Sequence, residues 1–157
     1  MRVMRTALSL AVFTAALALS GQRSQAADDH HGEAFEKCAK ECSDCQRSCD
    51  SCAAHCAKLT AEGKKEHLKT LRTCQDCATH CSAAASIMAR QGPFSDLICQ
   101  ACAEACARCG EACEAHPEDA HMKKCGEECR KCEKACREML EHVKKGSGAA
   151  KTRTERK

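Results

Sequence analysis

Eighteen cysteines, spaced alternately three and four residues apart, constrain this chain more than any other feature. Cys38, Cys42, Cys45, Cys49, Cys52 and Cys56 form a first run. Cys74, Cys77 and Cys81 form a second. Cys99, Cys102, Cys106, Cys109 and Cys113 make a third, and Cys125, Cys129, Cys132 and Cys136 a fourth. A 3/4 alternation holds side chains on one stripe of an α-helix, the stripe that faces its partners in a bundle. Leucine usually occupies that seam; here it is thiol.

The punctuation between the runs predicts four helices. The first spans about Asp29 to Leu59, with Asp28 or Asp29 as N-cap. Thr60 to Gly63 is the first turn, and the second helix runs from about Lys64 to Arg90. Gly92 and Pro93 break the chain, and Ser95 is the N-cap candidate of the third helix. Pro117 ends that helix by His116 and, with Glu118 and Asp119, suits the first turn of the fourth. The fourth closes with His142, Lys144 and Lys145 ahead of Gly146. Short connections make successive helices antiparallel neighbours, so the expected fold is all-α: an antiparallel up-down-up-down four-helix bundle with a cysteine-lined core.

Three segments are expected. Arg2 and Arg5, the apolar run from Ala7 to Leu19, and Ser24-Gln25-Ala26 read as a secretory signal peptide over residues 1–26. That reading implies an exported protein, periplasmic or extracellular after cleavage. The two arginines are not adjacent, so a twin-arginine signal is not supported, and no other stretch could cross a bilayer. Residues 27–145 are the bundle, and residues 146–157 read as a disordered basic tail. The formal net charge is +3, and Arg2, Arg5 and Arg23 lie in the leader, which leaves the remainder near neutral. Such a chain lacks the electrostatic footprint of a nucleic-acid partner.

The ordinary core is thin. Its large apolar candidates include Phe35, Leu68, Met88, Phe94, Leu97, Met122 and Met139, and the chain has neither Trp nor Tyr. Unpaired cysteine packs as a small hydrophobe, so the thiols must complete the core. Eight Cys-x-x-x-Cys pairs can be drawn, leaving Cys74 and Cys99 over. Residues four apart on a helix have Cβ atoms about 5–6 Å apart, too far for a disulfide but suited to a metal between two sulfurs. Zinc favours a closed tetrahedron, and the ferredoxin cysteine run is absent. Cu(I) is soft, is selected by thiolate and accepts low coordination. Multiple Cu(I) ions per monomer are therefore the favoured filling. A zinc or mixed soft-metal buffer, and a disulfide-stapled exported helical interaction module, are the alternatives.

Through these repeated Cys-x-x-x-Cys motifs, the chain from about Phe35 to Val143 resembles the bacterial four-helix-bundle copper storage proteins, and in particular their exported branch. The resemblance implies cysteines pointing into the bundle and holding many Cu(I) ions as thiolates, with Met and His near an open end. All eighteen cysteines are then candidate ligands.

Continuing each seam past its last thiol marks the two bundle ends. At one end stand Leu59, His67, His116 and Met122. His67, His116 and Met122 are the candidate ligands there and the expected way in for copper. At the other end stand His31, Phe35, Met88, Met139 and Val143, with Phe94 and Ile98 nearby, an apolar plug. His30, His55, His80, His121 and His142 read as surface residues. Expected partners are copper ions, a copper chaperone or recipient cuproenzyme, and further copies of the chain as a homo-oligomer. No nucleophile–base pair, phosphate loop or cofactor fingerprint stands out, so no enzyme is expected.

Overall fold

Four α-helices carry the cysteine runs, in the order α1 (Gln22–Ala61), α2 (Leu68–Ala89), α3 (Ser95–Glu114) and α4 (Ala120–Thr154). A single 3₁₀ turn, Lys65–His67, precedes α2. The structure is a computed structural model and describes the backbone of residues 22–154 and the side chains of residues 32–145. The bundle belongs to the unit that starts at Gly32. No strand occurs among the described residues. The all-α, up-down four-helix bundle expected from the seams is the observed fold.

The helices meet through their thiols. Cys45 lies 3.9 Å from Cys106 of α3 and 3.9 Å from Cys129 of α4. Cys81 of α2 lies 3.7 Å from Cys102 and 3.9 Å from Cys132. Small residues let the backbones close in around this narrow core. Gly110 is one: a Cβ there would stand 3.1 Å from the Arg130 guanidinium, which crosses from α4 to bond Glu114 at 2.7 and 2.8 Å.

Several element ends differ from the sequence-based expectation. α1 begins at Gln22, so Asp28 and Asp29 lie inside the helix rather than capping it, and the expected cleavage point after Ala26 lies inside it too. Residues 1–21 of the expected leader lie outside the described residues. Ser95 is the first residue of α3 rather than its N-cap; its hydroxyl donates back to the Gly92 carbonyl at 2.5 Å. Pro117 lies in the turn, and α4 starts at Ala120. Asp119 provides the cap there, accepting from the backbone N–H of His121 at 2.9 Å and of Met122 at 3.1 Å. α4 also continues past Gly146 to Thr154. Glycine costs a helix only about 1 kcal/mol relative to alanine, and no proline follows to stop it.

The apolar core is smaller than expected. Phe94 and Leu97 are 63% and 61% exposed, and Leu68 is also exposed. Phe94 precedes α3 with non-helical backbone angles, so its ring never joins the seam. Among the described residues, no helix is long and apolar enough to cross a membrane.

Candidate metal centre

All eighteen cysteines are free thiols, and each is at most 1% exposed. The 3/4 spacing turns every one inward, which is why none reaches solvent. Fifteen of these sulfurs fall into five groups of four along the bundle axis. Cys42, Cys102, Cys132 and Cys136 form one, Cys45, Cys77, Cys81 and Cys106 another. Cys45, Cys49, Cys77 and Cys129 form a third, Cys49, Cys109, Cys125 and Cys129 a fourth, and Cys52, Cys74, Cys113 and Cys125 a fifth. Within each group the sulfurs lie within 4.8 Å of one another.

The separations identify what can fit. Neighbouring sulfurs sit at 3.6 Å (Cys81–Cys106, Cys109–Cys74), 3.7 Å (Cys42–Cys136) and 3.9 Å (Cys45–Cys49). A disulfide needs about 2.05 Å. Metal–thiolate bonds of about 2.3 Å give sulfur–sulfur edges of about 4.0 Å in a trigonal site and about 4.6 Å in a linear one. No carboxylate enters these five groups. The donor set is all sulfur, which selects soft ions such as Cu(I).

Shared protons set the electrostatics. Burial pushes the Cys56 thiol up to about 12, with the neighbouring Cys52 adding to the effect. Deeper in, thiols hydrogen-bond one another. Cys106 holds its proton above the ordinary thiol range through its hydrogen bonds to Cys102 and Cys132. Cys77, bonded first by Cys106, falls below that range. The bonds from Cys113 and then Cys129 and Cys49 lower Cys109 to about 6, although Cys125 opposes them. A cation entering such a stack displaces protons that sulfur already shares.

The two ends of the stack differ. At the end formed by the α1–α2 and α3–α4 connections, the His67 and His116 rings meet with centroids 4.5 Å apart. Gly63, at φ +91°, permits the tight turn that sets His67 in the 3₁₀ turn before α2. The Thr70 hydroxyl ties α2 to the Ala112 carbonyl of α3 at 3.1 Å. His67 is only 7% exposed, and its Nδ1 is buried without a hydrogen-bond partner. Met122 is fully buried at the same end. The structure thus brings His67, His116 and Met122 to one end, as the seams implied. At the opposite end Phe35, Met88 and Met139 are buried, and Phe35 meets His142 edge-on at 6.4 Å. A cavity of ≈ 200 Å³ there is lined by residues of α1 and α4, Cys38 and Met139 among them. The His31 side chain lies outside the described residues.

Sequence reasoning missed two features. His55 and His121 are not independent surface residues. Their rings stack at 4.7 Å, His55 Nε2 lies 2.7 Å from Asp119 Oδ2, and Ser51 Oγ lies 3.1 Å from His121 Nε2. Burial would raise the Asp119 carboxyl, but the His55 bond and the backbone N–H of Met122 and His121 hold it below the usual range. Helical register places His55 beside Cys56, yet nothing local to it announces a partner 64 residues away. The second missed feature is the Met88 thioether, whose sulfur lies 3.6 Å from the Cys99 thiol.

Comparison with known proteins decides what this centre serves. The sequence pattern of the family described as "Csp: Copper storage protein" matches residues 21–141. The chain belongs to the copper storage protein family. A cytosolic copper storage protein from Streptomyces lividans, solved with five coppers, is 35% identical with a TM-score of 0.66, over 71% of this chain and 96% of that one. The Streptomyces lividans protein Ccsp, loaded with 10 copper equivalents, is 36% identical with a TM-score of 0.63, over 69% of this chain and 84% of that one. A Cu(I)-bound copper storage protein, BsCsp3, is 30% identical with a TM-score of 0.63, over 68% and 98%. Curated protein sequences give no significant match.

The copper storage function and its cargo, multiple Cu(I) ions per monomer, follow from this family and from the thiol groups. The protein is a storage protein and not an enzyme. One expectation is corrected. The resemblance had been narrowed to the exported branch, with a periplasmic or extracellular location, but the Streptomyces lividans relative solved with five coppers is described as cytosolic. The physical reason is that the thiol seam, which carries the resemblance, encodes metal chemistry and not compartment. The leader reading rested on residues outside the seam.

Proposed function

We propose that all eighteen cysteines are the copper ligands, and that copper passes to and from them through the end bearing His67, His116 and Met122. The observation that carries this reading is the His67 ring: buried, in contact with His116, and with Nδ1 left unpaired. An unsatisfied buried nitrogen costs about 1–3 kcal/mol, a penalty that a passing cation relieves. Imidazole and thioether accept Cu(I) more weakly than thiolate, which suits a relay rather than a store. Each incoming ion displaces thiol protons and is then bridged between helices by neighbouring sulfurs. A chaperone or recipient cuproenzyme docks at this end to exchange copper with the relay.

The triple variant His67→Ala, His116→Ala, Met122→Ala tests the relay. Loading from a Cu(I) donor and removal by a strong chelator should slow at least tenfold, with total capacity nearly unchanged because the thiols remain. Unchanged rates in this variant, together with slowed rates in Met88→Leu, Met139→Leu, would place the mouth at the opposite end, beside the cavity that reaches Cys38.

A further inference from the structure

We infer that His55, Asp119 and His121 form a divalent-cation site, with Zn(II) as its redox-inert occupant, where α1 meets the start of α4. None of the three belongs to the cysteine seam, and the site is separate from the copper store. His55 lies on α1, Asp119 caps α4, and His121 stands in the first turn of α4. His55 Nε2 is 2.7 Å from Asp119 Oδ2. The His55 and His121 rings stack with centroids 4.7 Å apart and planes 14° from parallel. Ser51 Oγ, one turn before His55, lies 3.1 Å from His121 Nε2. Two imidazoles and a carboxylate, from two helices, thus converge outside the thiol core.

The separations suit a small tetrahedral ion. Zinc–nitrogen bonds of about 2.0–2.1 Å hold two coordinated imidazoles with ring centres about 5 Å apart, and set a nitrogen and a carboxylate oxygen about 3.4 Å apart. The observed 4.7 and 2.7 Å are within an ångström of these values. Two adjustments load the site. The proton shared by His55 and Asp119 leaves, and the exposed His121 ring gives up Ser51 and turns its Nε2 toward the ion. Water completes the tetrahedron from the cavity of ≈ 780 Å³ that Ser51 and His121 line. Nitrogen and oxygen donors suit a borderline divalent ion, whereas the core's thiolates select Cu(I). The competing explanation is structural: His55 steadies the Asp119 cap and binds nothing. The two accounts separate at His121, whose ring a cap does not need.

The test is a Zn(II) titration, against a chromophoric chelator, of the full chain already saturated with Cu(I) so that its thiols are occupied. Parent, His55→Asn, His121→Asn and His80→Asn are compared. His80, on α2 with Nδ1 2.9 Å from the Asp76 carbonyl of its own helix, is the control. The parent should bind one Zn(II) more than His55→Asn or His121→Asn, and as many as His80→Asn. Loss of either imidazole should weaken the site by more than the roughly 10–100-fold that loss of an outer-shell partner costs. In ¹⁵N-histidine NMR of the parent, the His55 and His121 ring nitrogens should shift together with the first equivalent while His80 stays in place. Equal uptake by parent and His121→Asn, or a His121 ring that does not move, overturns the site and leaves the cap alone. Uptake reduced as much in His80→Asn marks scattered surface binding and overturns it too. Each readout is a difference between identically treated chains, so it stands whatever number of Cu(I) ions the core holds.

Discussion

The two ends of this bundle are closed by different materials. One is closed by His67, His116 and Met122, with polar rings in contact and a buried nitrogen left unpaired. The other is closed by Phe35, Met88 and Met139, whose side chains are all but excluded from water. Between them the thiol stack is continuous. On the proposed relay, one seam serves both stability and transfer. Apolar burial at one end anchors the helices, while the other gives up packing energy for groups that a soft cation can use.

Substitution at the apolar end should have the largest effect on stability. Phe35→Ala should lower the unfolding free energy of the apo protein by about 3–5 kcal/mol in denaturant titration, since it removes a buried ring. His67→Ala should change it by less than about 1 kcal/mol, because the lost contacts are offset by removal of an unsatisfied nitrogen. Equal losses at the two ends would erase the contrast.

Proton release provides a second comparison. Cys56, nearest the histidine end on α1, is pushed up to about 12 and so keeps its proton at neutral pH. Copper binding must expel that proton, so the affinity of this thiol should rise about tenfold per pH unit below that value. The sign reverses for the apo fold. A thiol with a raised value favours folding fully below the ordinary 9.0 and loses that contribution as pH climbs toward about 12. Apo protein should therefore lose stability in alkali over that window, whereas the copper-filled protein should not. A pH-independent affinity at Cys56 in competition titrations would contradict this account.

Asp119→Ala should cost about 0.5–2 kcal/mol as a lost helix cap, and it should loosen the α4 terminus that holds Met122. Amide exchange at His121 and Met122 reads this directly; unchanged protection there would remove the cap from the account. The smallest effect belongs to Phe94→Ala, within about 0.5 kcal/mol, because that ring is 63% exposed.

The seam residues were fully legible in the sequence, because a 3/4 spacing is a local property of the helix and eighteen thiols repeat it. His67, His116 and Met122 could be placed at one end by extending that register. Other features depend on packing between distant segments. Phe94 looked like core by its composition, yet the turn at Gly92 carries it out to solvent. Asp119 replaced Pro117 at the start of α4 because a carboxylate can accept two backbone N–H groups. The His55–Asp119 pair and the Met88–Cys99 contact join helices far apart in the chain, and no spacing encodes them.

The central claim is that the core is a copper store built from thiolate. Titration of the fully reduced protein with Cu(I), under anaerobic conditions and against a competing chelator, tests it most directly. The account predicts saturation at about ten to twenty ions per chain, on the order of one per thiol, with little change in helix content. Saturation at one or two ions, or a large gain of helical signal on copper addition, would contradict it.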